Sequence, residues 1–112
     1  MVLLSVAPRS LVLATAMLFA APPLLSHAPG QINLVNTHWD SVQIELRIGT
    51  SEQCQLNPTA GVRTLPRGRV WAVVGEAVVC WRRETTPGAR DGQWTPWQSR
   101  QPVPQSTEIV EL

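Results

Sequence analysis

The chain has no tyrosine, a single phenylalanine and only two cysteines, and its basic residues are all arginine, with no lysine at any position. The absence of lysine removes Schiff-base chemistry, and the absence of tyrosine removes phenol acid–base chemistry. Charge is scarce as well, at 15% of residues with a formal net charge of +1. No long basic run is present; the compact groups are only Arg67-Gly68-Arg69 and Arg82-Arg83, the latter followed directly by Glu84. This composition argues against nucleic acid or an anionic membrane surface as a partner. No phosphate-binding loop, calcium loop, zinc cluster or N-glycosylation acceptor occurs.

The longest apolar run, LVLATAMLFAA at 11–21, follows Arg9 and precedes PPLLSHAPG at 22–30. It is shorter than the roughly 20 residues needed to span a hydrocarbon core, and Pro22-Pro23 resists helix continuation. A basic start, a short apolar centre and a small-x-small site at Ser26-His27-Ala28 are the order of a secretory signal peptide. Residues 1–28 are therefore expected to be a cleaved leader. Residues 29–100 would form a small domain, and 101–112 a proline-containing extended tail or a short edge strand. The expected location is the periplasm or the extracellular space, with no integral membrane span after cleavage. The arginines and carboxylates of the mature segment balance, eight of each once Arg9 is removed.

A domain this small buries only a modest fraction of its surface and needs large core side chains or a staple. All five tryptophans and both cysteines lie in the mature segment. In an oxidising compartment, Cys54 and Cys80 are expected to form a structural disulfide, and their spacing excludes a CxxC redox motif. In the chain-entropy picture, closing that loop is worth roughly 3–4 kcal/mol.

The periodicity is that of strands. In SVQIELRIG at 41–49, Val42, Ile44, Leu46 and Ile48 alternate with polar residues, the pattern of a half-buried strand. QINLVN at 31–36 reads as its antiparallel hairpin partner through THWD at 37–40. Further strands are expected at 62–65 and 69–74, joined by the turn 66–68. The next strand, 78–84, forms a hairpin with 69–74 through 75–77, and a last one begins near Trp94. The 69–84 hairpin is apolar on both faces near its turn, which predicts a central position, with Cys80 pointing inward and Trp81 the opposite way, toward a second layer or toward solvent. No stretch after the leader has an apolar period of 3.6. The fold class is all-β, a small antiparallel sandwich or partly closed barrel of about five to seven short strands.

The segment QWTPWQSR at 93–100 places two tryptophans three residues apart around Pro96. In an ideal strand their rings would face opposite ways. A bulge or a three-per-turn extended segment, which Pro96 favours, brings both to one side. Arg82 or Arg83 from a neighbouring strand could then lie on an indole face. Trp94-Thr95-Pro96-Trp97 resembles the WxxW element of thrombospondin type 1 repeats, and Trp94 to Ser99 is similar to the tryptophan-serine box of cytokine-receptor fibronectin domains. The chain lacks the denser disulfides of the first and the second tryptophan-serine unit of the second. What the resemblance implies is a layered tryptophan–arginine ladder, without family membership.

Catalysis finds little footing. His38 and Asp40 are close enough in sequence to pair but have no evident nucleophile to activate, and nothing in the spacing brings Glu45, Glu76 and Glu84 together. No catalytic residue, metal ligand or cofactor is expected. The sequence points to an exported, non-catalytic protein-binding or envelope accessory module. Its candidate surface is Trp39, Trp81, Arg82, Arg83, Trp94 and Trp97, since aromatic residues and arginine are enriched at interfaces. The alternatives are a structural packing subunit without a small-molecule site, or a glycan-binding module with Trp39 and Trp97 as sugar platforms.

Overall fold

The computed structural model describes residues 28–112. The leader expected over residues 1–28 lies outside the described residues, which reach back only to Ala28. Seven strands follow in order: β1 (Gly30–Val35), β2 (Ser41–Gly49), β3 (Thr59–Pro66), β4 (Val70–Gly75), β5 (Val78–Arg83), β6 (Gln98–Arg100) and β7 (Thr107–Glu111). One 3₁₀ turn, Cys54–Leu56, interrupts the β2–β3 connection, and no α-helix occurs among the described residues. Hence no described helix is long and apolar enough to cross a membrane.

The strands form two sheets. Sheet one has the order β4-β1-β7 and sheet two the order β3-β2-β5-β6. Every pairing is antiparallel except that of β1 with β7, which is parallel. The expected all-β sandwich is therefore the observed fold. The tail contributes β7 as an edge strand, which takes up residues 107–111 of the segment expected to be an extended tail or a short edge strand.

Period-two alternation supplies the core. Ile32 and Leu34 from β1, with Trp71 and Val73 from β4, face Val42, Ile44 and Leu46 from β2, Leu65 from β3, and Val79 and Trp81 from β5. All are buried, and burying each such aliphatic side chain contributes about 1.5–3 kcal/mol before entropy is counted. The central position expected for β5 is observed, since Val78 to Trp81 are buried on both faces.

Three short connections read from sequence as hairpins are instead crossings between the sheets. The 36–40 link carries the chain from β1 in sheet one to β2 in sheet two. The 67–69 link returns it from β3 to β4, and 76–77 takes it back to β5. Alternation reports which face of a strand is buried, and a crossing satisfies it as well as a hairpin does. Asn36 shows why the first crossing forms. It is fully buried, and its amide donates to the Trp39 and Leu65 carbonyls at 2.8 and 2.9 Å. Its Oδ1 accepts from the backbone N–H groups of His38 and Trp39 at 3.2 and 3.0 Å. The second crossing is tied to the same residue, because the Gly68 N–H donates to the Asn36 carbonyl at 2.7 Å. Gly68 sits at φ 79°, a left-handed conformation that glycine adopts without steric cost.

Two further expectations are corrected. β4 is an edge strand rather than a central one: Trp71 and Val73 face the core, while Val70, Ala72 and Val74 face out and are exposed. On β5 the directions are the reverse of those expected. Trp81 points between the sheets, and Cys80 points to the outer face of sheet two, because the larger ring fills the intersheet space.

Candidate functional site

The outer face of sheet two is covered by the chain itself. Cys80 is bonded there to Cys54 at the start of the 3₁₀ turn, with a Cα–Cα distance of 5.6 Å. Asn57 folds the loop beneath the bond, exchanging hydrogen bonds with Ser51: its Nδ2 donates to the Ser51 carbonyl at 2.7 Å, and its Oδ1 accepts the Ser51 N–H at 3.1 Å. Val78 and both cysteines form a second apolar cluster, against which Trp97 packs.

Trp97 reaches that face through a bulge. The Thr95 N–H donates to the Arg83 carbonyl at 2.9 Å, while Gln98 opposes Trp81, so Pro96 and Trp97 together face Arg82 alone. Proline has no N–H to lose from the ladder, which makes it a fitting extra residue. The added position restores Trp97 to the face that Trp94 already occupies through its bridge to Glu84. The one-sided arrangement of the two rings is thus a property of strand register.

A layered stack results. The Arg82 guanidinium lies 5.1 Å from the Trp94 ring centroid and 4.5 Å from that of Trp97, and Arg47 lies 5.6 Å from Trp97 on β2. The stack is tied together by Glu45, directly opposite Arg82 across the β2–β5 pair. Glu45 Oε1 accepts from Arg82 Nε and Nη2 at 2.9 and 2.7 Å, and its Oε2 accepts from Arg47 Nε at 3.3 Å. Arg47 also donates to the Gln55 and Asn57 carbonyls at 3.2 and 3.0 Å, which joins the stack to the disulfide loop. Both rings are half-buried, and the Arg82 side chain retains 28% of its exposure.

The remaining candidates are separated from this stack. Arg83 points to the other side of β5, where it lies 4.6 Å from the Trp39 ring at the end of the sandwich and donates to the Glu84 carbonyl at 2.7 Å. Trp81 is in the core and offers no surface of its own; Arg100 approaches its ring at 5.9 Å from the flank. Trp71 completes the pattern with Arg63 at 4.3 Å, so each of the five tryptophans carries an arginine. The expected surface therefore divides into an outer stack (Arg82, Trp94, Trp97), an end cap (Trp39, Arg83) and a core residue (Trp81). His38 stands edge-on to Trp39 at 5.7 Å, and Asp40 pairs with Arg67 at 3.0 Å.

Sequence reasoning missed Glu84. Its buried carboxylate accepts from the Gln43 N–H (2.7 Å), the Gly88 N–H (3.3 Å), and the Arg90 N–H (3.0 Å) and guanidinium (2.6 Å). Burial pushes its pKa up, but the Gln43 amide, the Arg90 side chain and the Arg90 and Gly88 amides outweigh it and hold the group at about 2. A lone glutamate at the end of a strand gives no sequence signal of that role. It anchors the 85–92 loop beside Trp94.

Sheet one presents a contrasting outer face. Registers place Val74, Gln31 and Thr107 in one row, Ala72, Asn33 and Ile109 in the next, and Val70, Val35 and Glu111 in the third. Only Glu111, at a corner, is charged. Val70, Val74 and Ile109 are 49%, 59% and 67% exposed, and nothing among the described residues covers them. A cleft of about 350 Å³ opens on the flank between β6 and β7, lined in part by Arg83 and Arg100. Arg83 is already engaged as described, and Arg100 pairs with Glu108 at 3.1 Å. Comparison with family models, with curated proteins and with solved structures finds no match to this chain, so any functional reading rests on these surfaces.

Proposed function

We propose that the protein is an exported, non-catalytic module that binds another protein in the envelope or extracellular space, through the outer face of sheet one. The observation that carries this reading is the asymmetry of the two outer faces. On sheet two Trp97 packs over the disulfide cluster and stacks with Arg47 and Arg82, whereas sheet one leaves Val70, Ala72, Val74 and Ile109 bare around the amides Gln31 and Asn33. An uncharged, apolar-rich patch of this kind is the character of an interaction surface. The disulfide fits an oxidising compartment, which agrees with export.

The glycan alternative draws less support. Of the two expected platforms, Trp97 carries guanidinium groups at 4.5 and 5.6 Å and Trp39 one at 4.6 Å, which leaves less ring face for a sugar. The same layering favours the structural-subunit reading for the sheet-two face alone.

The test is a pull-down from native envelope or secreted material with residues 29–112, repeated with Asn33→Lys, at the centre of the bare face, and with Arg47→Gln in the stack. Recovery of one partner by the wild type and by Arg47→Gln, and its loss with Asn33→Lys, is the expected result. Equal recovery with Asn33→Lys removes sheet one from the site. Retention on polysaccharide with no protein recovered overturns the reading.

A further inference from the structure

Among the described residues the sandwich has four edge strands, and three carry the features that discourage pairing with another chain. β3 has Arg63 and Pro66 and an irregular register opposite Leu46/Arg47. β6 is three residues long, and β7 carries Glu108 and Glu111. β4 has none of these: Val70–Gly75 contains neither charge nor proline, and its outward side chains are valine, alanine and valine.

Its free hydrogen-bonding groups can be assigned. The Asn36 N–H donates to the Arg69 carbonyl at 3.3 Å, which continues the β1–β4 ladder by one pair. Antiparallel pairs alternate between bonded and non-bonded positions. Trp71, Val73 and Gly75 therefore bond to β1, and the N–H and C=O groups of Val70, Ala72 and Val74 point to the open side. Those are the same residues whose side chains lie on the bare outer face.

We infer that β4 pairs antiparallel with β4 of a second copy of this chain, about a two-fold axis at Ala72. The sequence Val70-x-Ala72-x-Val74 is symmetric about that residue, so the pairing sets Ala72 on Ala72 and Val70 on Val74. Each of these three positions is one with outward-pointing backbone groups, and no charged side chain of β4 meets its copy. An isologous contact needs this kind of self-complementarity. The result is a continuous six-stranded sheet. It also bears on area: the three-stranded face covers roughly 240 Å², from about 4.8 Å between strands and 3.3 Å per residue, and joining two copies doubles it. That brings it nearer the ~800 Å² per partner of a standard protein–protein interface. The β4 edge pairs in this way whatever partner the outer face takes.

The experiment is sedimentation equilibrium of purified residues 29–112 across a concentration series, on the wild type, Ala72→Lys and Asn33→Lys, each checked for folding by circular dichroism. In Ala72→Lys, like charges would meet at the axis. The expected result is a concentration-dependent dimer for the wild type and for Asn33→Lys, with association weakened about two- to fivefold in Ala72→Lys. A second arm uses Ala72→Cys and Val74→Cys with a thiol cross-linker shorter than about 8 Å. In the inferred register the 72 positions adjoin, while the 74 positions lie about 14 Å apart, so only Ala72→Cys should cross-link to itself. A wild type that stays monomeric into the millimolar range, a dimer unaffected by Ala72→Lys, or equal cross-linking at 72 and 74 overturns the inference. A monomer that still captures a partner through Asn33 would leave the binding reading intact while removing the self-pairing.

Discussion

Replacing Arg82 with methionine removes the central layer of the sheet-two stack while keeping much of its volume. Two guanidinium–indole contacts disappear, at 5.1 and 4.5 Å, each worth about 0.5–1 kcal/mol at a partly exposed site. Glu45 loses its bonds at 2.9 and 2.7 Å and keeps only Arg47 at 3.3 Å, with its side chain 10% exposed. Removing one partner of a fully buried pair costs about 3–5 kcal/mol; here Arg82 is partly solvated and Arg47 remains, so about 1–2 kcal/mol is appropriate. Together the loss should be about 2–4 kcal/mol, a large share of the 5–15 kcal/mol typical of a domain. Urea denaturation followed by circular dichroism measures it, and tryptophan emission should shift as Trp94 and Trp97 gain water. Glu45→Gln in the same background relieves the stranded carboxylate, so the double variant should be less destabilised than the sum of the singles, by about 1 kcal/mol or more. A loss below about 1 kcal/mol for Arg82→Met, or strict additivity with Glu45→Gln, would refute the view that the stack and its carboxylate act as one unit.

Alkylation of the exported protein should find no free thiol until reduction, when intact mass shows two, and reduction should lower stability by roughly 3–4 kcal/mol in a denaturant titration. Trp71→Ala should cost about 3–5 kcal/mol, since the ring is buried across the two sheets; an unchanged denaturation midpoint would remove it from the core. Glu84 has a folded pKa of about 2, below its ordinary 4.5. Its contribution to stability is therefore fully present above pH about 4.5 and is lost as pH falls toward 2. Glu84→Gln should flatten the pH dependence of the melting temperature across that window, and an unaltered acid limb would contradict the assignment.

What was legible in the sequence depended on whether a local pattern has one structural meaning. The alternation of Val42, Ile44, Leu46 and Ile48 marked a strand with one core face, though it did not show that the stack buries Glu45 on the other, and two cysteines could pair in one way. Pro96 between two tryptophans allowed a bulge or an extended turn that puts both rings on one side, but left Arg82 and Arg83 equal as the stacking partner; strand register selects Arg82. The choice of sheet was hidden, because a link of two to five residues closes a hairpin or crosses a sandwich equally well. It took Asn36, bonded to Leu65 far along the chain, to decide between them. The edge position of β4 was obscured by Val70, Ala72 and Val74, which are apolar yet exposed. The same apolar composition that suggested a central strand marks the bare face on which the functional reading now rests. Of the expected surface, Trp81 was misplaced because adjacent strand residues alternate, and only packing decides which of Cys80 and Trp81 turns inward.

The parallel pairing of β1 with β7 ties the first described strand to the last. When the chain emerges amino end first, β1 meets β4 early, but its other side stays unpaired until residues 107–111 arrive. Nearly the whole domain must be present before sheet one is complete, and closing so long a loop is among the slower steps in folding. During that interval two edges of the same sheet are open within the chain, the outer side of β4 and the side of β1 that awaits β7. The vulnerable period of this protein is therefore set by the delivery of its last strand, and a chain stopped just short of Thr107 would stay in that state.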